Sequence, residues 1–257
     1  MKTWKRSMAC LLMAGMLIMT IGCGNAKIVS VDGKKQESTI EIGMCFDTFK
    51  VERWLKDRDV FSATATECGA KVNVQNANGD PEKQKQQLAR FIDDGVDTVA
   101  IVAVDESVLK EELEEAHKKG IKIIAYDRMI NSKYVDLYIS FDNYKVGEMM
   151  AAAIDEKLDA QNNLRRNALM ICGAPEDLNV TMVEEGFRKV ASEENINIVD
   201  TYYAQGWRAE TVNDYFTEHP DILNNVDAIM CGNDSLAGEV IGILAMKQMA
   251  GDVIVVG

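Results

Sequence analysis

The residues that best indicate chemistry are Asp127 and Arg128, a carboxylate and a guanidinium that are adjacent in the sequence. They follow residues 121–126, a short and almost wholly apolar segment predicted to be a strand. In a parallel α/β sheet, ionised groups collect at the carboxyl ends of the strands, where ligands bind. The carboxylate accepts and the guanidinium donates, so the pair can satisfy both halves of a vicinal diol. The pattern indicates a site for a neutral, hydroxyl-rich molecule; a surface ion pair closing a strand-to-helix turn is the alternative.

Short apolar segments alternate with amphipathic helices from residue 40 onward. The predicted strands are residues 40–46, 71–75, 98–103, 121–126, 137–140, 168–172, 198–203, 228–230 and 253–256. This alternation predicts an α/β fold with parallel sheets. Nine strands are too many for one sheet here, so we expect two Rossmann-like lobes, residues 39–142 and 143–257. A cleft between them would be walled by the carboxyl ends of both sheets.

Other polar and aromatic residues follow the ends of these strands. In the first lobe these are Phe46, Asp47, Glu52, Arg53, Trp54, Asp127 and Arg128, and in the second they are Asp177, Asn179, Trp207, Asn233 and Asp234. Trp207 follows a glycine at a strand-to-loop junction, where its indole face could stack on the C–H side of a sugar ring. Asn179 and Asn233 could equally cap the helices that follow them. Trp54 lies on an apolar helix stripe and is expected in the core.

Composition and motifs exclude several functions. The net charge of −13 argues against a nucleic-acid partner, because such a surface repels phosphate. No glycine-rich dinucleotide fingerprint or Walker pattern is present, and His117 and His219 form no triad or metal site. We therefore predict no enzyme activity, no cofactor and no metal. The four cysteines after residue 38 are expected to be unpaired and to pack as small apolar side chains: Cys45, Cys68, Cys172 and Cys231.

The first 22 residues have the three parts of an export signal: basic residues, an apolar run and small residues at the end. The apolar run, residues 8–21, is shorter than the roughly 20 residues of a membrane-spanning helix. Residues 20–23 resemble a bacterial lipoprotein signal, although Thr20 stands where leucine is usual. We predict a signal peptide at 1–22, lipidation of Cys23 and a flexible tether at 23–38, hence an extracytoplasmic protein that is anchored to the cell membrane by lipid or is otherwise periplasmic. Ordinary signal cleavage beside an unmodified cysteine is the alternative.

Four segments, residues 46–59, 74–79, 125–131 and 138–143, closely resemble the sugar-binding proteins of bacterial ABC transporters, which are type I periplasmic binding proteins. The Asp-Arg-Met-Ile-Asn run at 127–131 and the Glu-Arg-Trp run at 52–54 are specific to the D-xylose-binding branch. The resemblance covers essentially everything after the tether. It implies that a monosaccharide, most readily D-xylose, is held by Arg53, Asp127 and Arg128 from the first lobe and by Asn179, Trp207 and Asn233 from the second. It also implies that the lobes close on the sugar by a hinge. The closed form would then be recognised by a membrane permease.

Two other classes of protein could use the same two-lobed core. Sugar-responsive transcriptional repressors share the two-lobed core, but they carry a basic helix-turn-helix where this chain has an export signal. A second alternative is a sugar sensor that presents its closed form to a chemoreceptor or sensor kinase.

In the family, the strand matching 253–257 leads to a further ligand carboxylate and to more elements of both lobes. We therefore expect a C-terminally truncated chain, with an incomplete second lobe, marginal stability and weakened xylose binding. Tight xylose binding by residues 24–257 in calorimetric titration would contradict this.

Overall fold

A computed structural model describes residues 39–257 of the chain. The predicted signal peptide, Cys23 and the tether lie outside the described residues. Within residues 39–257, no helix has the length and apolar character needed to cross a membrane.

The N-terminal half, residues 39–142, contains a five-stranded parallel sheet in the order β2-β1-β3-β4-β5. Its strands are β1 (Glu41–Phe46), β2 (Lys71–Asn76), β3 (Thr98–Ile101), β4 (Lys122–Tyr126) and β5 (Leu137–Ile139). Its helices are α1 (Glu52–Glu67), α2 (Pro81–Asp94) and α3 (Lys110–Lys118), with a 3-10 turn at Glu106–Leu109. The predicted caps are present in α2, where the Asp80 side chain accepts from the Lys83 N–H and Gly95 ends the helix with a left-handed φ of 71°.

The C-terminal half, residues 143–257, contains a four-stranded parallel sheet in the order β7-β6-β8-β9. Its strands are β6 (Asn167–Cys172), β7 (Asn197–Tyr203), β8 (Ala228–Cys231) and β9 (Ile254–Val256). Its helices are α4 (Asn143–Ala160), α5 (Leu178–Glu193), α6 (Thr211–Glu218) and α7 (Asp234–Met246), with 3-10 turns at Gln205–Trp207 and Ile222–Asn225. The predicted α/β fold with parallel sheets is confirmed.

Each sheet is covered on both faces. Alternate side chains of its strands point to opposite faces and pack into different cores. Met44 and Phe46 of β1 pack with Trp54 on one face, while Cys45 packs with Leu88 and Phe91 on the other. In the second sheet, Met170 and Cys172 of β6 share one core and Leu169 and Ile171 share the opposite one. Burial on both faces explains the nearly continuous apolar strands.

The strand order places a topological switch point in each sheet. Chain connections leave β1 toward β2 on one side and reach β3 on the other, and β6 stands in the same relation to β7 and β8. Loops diverge at such points and leave a crevice at the carboxyl ends of the strands. The loops after β1 and β3, and those after β6 and β8, are therefore where the fold leaves room for a ligand.

A pair of glycines brings α4 and α5 into close contact. A Cβ on Gly147 would overlap the backbone of Val183 and Phe187, and one on Gly186 would overlap the backbone of Tyr144. The close crossing brings the beginnings of the two helices together, so that Asn143 Nδ2 donates to Asn179 Oδ1 at 3.0 Å. Helix packing thus helps to fix one of the predicted site residues.

Candidate ligand-binding site

A cavity of about 530 Å³ opens at the carboxyl ends of both sheets. All six residues predicted from the sequence line it: Arg53, Asp127, Arg128, Asn179, Trp207 and Asn233. The first three come from the start of α1 and the end of β4, and the others come from the start of α5, the Gln205–Trp207 turn and the residue before α7. The fold thus brings side chains from both halves to one space, while their role in binding stays a prediction.

Asp127 joins the two halves of the molecule. It is 7% exposed and has a left-handed backbone with a φ of 64°, a conformation that aspartate tolerates better than most residues. One carboxylate oxygen pairs with Arg53, and the other accepts a hydrogen bond of 3.0 Å from Asn179 Nδ2. An ionised carboxylate has about four acceptor positions, so Asp127 retains capacity for a ligand hydroxyl.

Arg53 lies on the first turn of α1 among aromatic and acidic groups. Its guanidinium carbon is 4.4 Å from the centre of a Trp54 ring and 5.5 Å from that of Phe141. Burial lowers the pKa of Arg53, but the hydrogen bond to Asp127 and the charges of Asp127 and Asp57 outweigh this and raise it. Arg53 is therefore a permanent cation that neutralises Asp127.

Arg128 is held by three separate acceptors. Its Nη2 lies 2.8 Å from Asp47 Oδ2, its Nη1 donates to the Ala103 carbonyl at 2.8 Å, and its Nε lies 3.2 Å from Asp177 Oδ2. Burial raises the pKa of the Asp47 carboxyl and outweighs the opposing effect of the Arg128 charge. A guanidinium has five N–H donors, so this side chain is fixed and still has donors for a ligand.

Trp207 lies against two glycines of the C-terminal half. A Cβ on Gly173 would overlap its ring, and a Cβ on Gly232 would lie 3.4 Å from it. The indole Nε1 donates to Asp177 Oδ2 at 3.2 Å, and the residue has a left-handed φ of 59°. Trp207 is half-buried and lines the cavity, so part of its flat surface is available to a ligand.

The two asparagines differ in their capping roles. Asn233 Oδ1 accepts from the Leu236 N–H at 2.9 Å and caps α7, which was the alternative role expected from the sequence. Asn179 does not cap α5, because Asp177 is the N-cap and accepts from the Asn179 N–H at 3.0 Å. The Asn179 side chain is instead 8% exposed and connects Asn143 with Asp127.

Trp54 was expected in the core, and the structure places it both in the core and beside the cavity. Trp54 is 3% exposed and belongs to a core cluster, but it also lines the cavity, and its buried indole Nε1 has no hydrogen-bond partner among residues 39–257. Asp177 was a candidate at a strand end without a specific role, and it contacts three other polar groups of the site. Strand-end position placed both residues near the cleft, but no local sequence signal specifies these contacts. Residues 39–257 contain no cluster of histidine, cysteine, aspartate or glutamate suited to a metal ion.

Two parallel α/β sheets with a cleft between them are typical of proteins that bind small solutes. Residues 42–257 match the family model described as "Periplasmic binding protein domain", and the chain belongs to this family. Its members bind solutes and are not enzymes, which confirms the prediction of no enzyme activity. The resemblance to type I periplasmic binding proteins is likewise confirmed.

Particular relatives carry the name D-xylose-binding periplasmic protein. The chain is 35% identical over 246 residues to the one from Escherichia coli (strain K12), an alignment covering 94% of this chain and 72% of that protein. It is 36% identical over 226 residues to the one from Haemophilus influenzae, covering 85% of this chain and 66% of that protein. The chain thus spans about two thirds of the length of these relatives.

Solved structures show the same fold. An ABC transporter solute binding protein from Clostridium phytofermentans with bound β-D-glucose is 28% identical with a TM-score of 0.72, covering 80% of this chain and 68% of that one. A periplasmic solute binding protein from Actinobacillus succinogenes with bound D-allose has a TM-score of 0.76 at 22% identity, covering 84% and 77%. The second likeness concerns the fold alone.

Proposed function

We propose that this chain is the extracytoplasmic sugar-binding component of an ABC transporter and that it takes a monosaccharide, D-xylose first, into the cavity between its two sheets. One observation carries the proposal. Asp127 and Arg128 lie side by side in a cavity that Asn179, Trp207 and Asn233 line from the other half. A polar molecule enclosed there would be contacted by both halves at once.

The chemistry of the cavity supports a sugar. Asp127 offers acceptors, while Arg53 and Arg128 offer charged donors, which suits adjacent hydroxyls that each donate and accept. Trp54 and Trp207 line the cavity from different halves and offer apolar surface to ring C–H groups. The volume lies within the range of about 300–1,000 Å³ that is usual for small-molecule sites.

Selectivity would come from the fixed polar groups. A sugar that lacks one hydroxyl leaves a buried donor or acceptor without a partner, and each such loss costs about 1–3 kcal/mol. The names of the two relatives favour D-xylose, while the glucose in the Clostridium phytofermentans structure supports the wider class of monosaccharides. We also propose that the sugar-loaded form is delivered to a membrane permease.

A ligand panel tests the proposal. Thermal unfolding is measured with increasing D-xylose, D-ribose, D-glucose, an amino acid and a nucleotide, followed by calorimetric titration of any stabilising compound. Because a ligand that binds only the folded state raises its stability, D-xylose should raise the melting temperature most. Stabilisation by the amino acid or the nucleotide, and by no sugar, would overturn the proposal.

A further inference from the structure

We propose that Asp177 is a positioning residue that links the approach of the two halves to the orientation of Trp207. The inference rests on the proposed sugar-binding function and concerns regulation of the same cleft. Asp177 lies between β6 and α5, and its side chain is 8% exposed. Its Oδ2 lies 3.2 Å from Arg128 Nε in the N-terminal half and accepts from Trp207 Nε1 at 3.2 Å in the C-terminal half.

The two carboxylate oxygens of Asp177 have different tasks. Oδ1 accepts from the Asn179 N–H at 3.0 Å and caps α5. This bond fixes the plane of the carboxylate on a rigid helix start, which directs Oδ2 toward Arg128 and Trp207. A single oxygen therefore meets one donor from each half of the molecule.

Separation of the halves would change this arrangement unequally. Arg128 would keep Asp47 at 2.8 Å and the Ala103 carbonyl at 2.8 Å, since both belong to its own half. Asp177 would keep Trp207 but lose Arg128. Approach of the halves thus adds a cationic donor to the oxygen that already orients the indole. Trp207 is held most firmly when the cleft is narrow.

The substitution Asp177→Asn separates the two tasks. Asparagine caps helices as well as aspartate, so its oxygen retains the bond to the Asn179 N–H. Its NH2 group replaces Oδ2 and, as a donor, can accept from neither Arg128 nor Trp207. Arg128 keeps Asp47, so no buried charge loses its only partner. We expect the affinity for D-xylose to fall about 10- to 100-fold, the loss typical of a charge-assisted hydrogen bond.

Asp80→Asn is the matched control. Asp80 also caps a helix, accepting from the Lys83 N–H at 3.1 Å, but it lies outside the cavity. This variant should bind D-xylose as the wild type does. The second readout is the indole ¹⁵N–¹H signal of Trp207, assigned by its disappearance in Trp207→Phe. In ligand-free Asp177→Asn this signal should shift and its proton should exchange faster, whereas Asp80→Asn should leave both unchanged.

The outcomes separate this inference from the proposed function. Unchanged affinity of Asp177→Asn beside a sugar-binding wild type overturns the inference alone. Weakened affinity with an unchanged Trp207 signal also overturns it, because Asp177 would then act on the sugar directly. A wild type that binds no sugar overturns the proposed function, while the ligand-free indole signal still tests the link between Asp177 and Trp207. If Asp177→Asn does not fold, Asp177→Ser, which also keeps a capping oxygen, replaces it with the same expected results.

Discussion

The amide nitrogen of Asn179 lies 3.0 Å from a carboxylate oxygen of Asp127, although 52 positions separate the two residues and they belong to different halves of the molecule. The other oxygen of Asp127 pairs with Arg53. Asp127 is therefore fixed from both sides of the cleft, with a cation on one side and a neutral donor on the other. A ligand hydroxyl that donates to Asp127 enters a network whose geometry is already set, which reduces the cost of ordering it.

Replacing the central carboxylate tests this network. Asp127→Asn preserves shape and tolerates the left-handed backbone, but it removes the charge that neutralises Arg53 and places an NH2 group near Arg53 or Asn179. We expect sugar binding to weaken by about 2–3 kcal/mol, in line with hydrogen bonds to charged groups. Isothermal titration with D-xylose measures the loss.

Asp105→Asn is the control for this substitution. Asp105 caps the 3-10 turn that follows β3, accepting from the Ser107 N–H at 2.9 Å, and it lies outside the cavity. Its affinity for D-xylose should equal that of the wild type. Wild-type affinity in Asp127→Asn would remove Asp127 from the binding site.

The stacking role of Trp207 is tested by replacing its side chain with smaller ones. Trp207→Phe keeps an aromatic face but loses the indole N–H, and Trp207→Ala removes the face altogether. We expect affinity to decrease from tryptophan to phenylalanine to alanine, with about 1–3 kcal/mol lost for alanine through lost apolar contact. Equal titration curves for the phenylalanine and alanine variants would show that the ring contributes nothing by stacking.

Much of the fold could be predicted from local pattern. The boundaries of all nine described strands lie close to those expected, because burial on both faces of a parallel sheet produces short apolar runs that glycines and caps delimit. Residues at strand ends could likewise be nominated, since the carboxyl ends of parallel strands share one edge. Asp127, Arg128 and Asn233 were found in this way.

Contacts that depend on the placement of the two sheets could not be predicted. Trp54 was assigned to the core because periodicity reports how buried a side chain is on average and not which edge of it reaches a cavity. The link from Asp177 to Arg128 joins loops that follow strands of different sheets, so no spacing in the sequence encodes it. The same holds for Asn143 and Asn179, which meet because two helices cross closely.

The cysteines should differ sharply in reactivity. Cys45, Cys172 and Cys231 are buried, and burial raises the pKa of each thiol to about 12, whereas Cys68 is exposed, which corrects its predicted packing role. With a pKa near 12, only about one thiol in 10⁴ is ionised at pH 8, and the thiolate is the reactive form.

Alkylation at pH 8 followed by peptide mapping should therefore modify Cys68 among these four in the native protein, and all four in denaturant. Cys68→Ser provides the control and should leave the other three protected. Native labelling of Cys45 at the rate seen for Cys68 would show that the β1 core is open.

Cys23 lies outside the described residues, and its lipidation is a proposal that labelling can test. Cells expressing the chain are grown with a radiolabelled fatty acid, and the protein is followed by detergent partitioning. We expect label and detergent partitioning in the wild type and in Cys10→Ser. We expect neither in Cys23→Ser, because without acyl chains the protein has no lipid anchor. Unlabelled wild-type protein would favour ordinary signal cleavage.

The close crossing of α4 and α5 makes the strongest stability prediction. Gly186→Ala places a methyl group against the Tyr144 carbonyl, so the helices must separate, which should lower the free energy of unfolding by about 1–3 kcal/mol. Gly238→Ala and Gly242→Ala are matched controls in α7, where an added Cβ meets no atom within 4 Å. Since alanine favours helix by about 0.5–1 kcal/mol over glycine, the controls should be neutral or more stable. Urea unfolding measures all three. Because the same crossing holds Asn143 against Asn179, Gly186→Ala should also weaken D-xylose binding, while both controls retain it. Equal stability of the three variants would contradict the role assigned to Gly186.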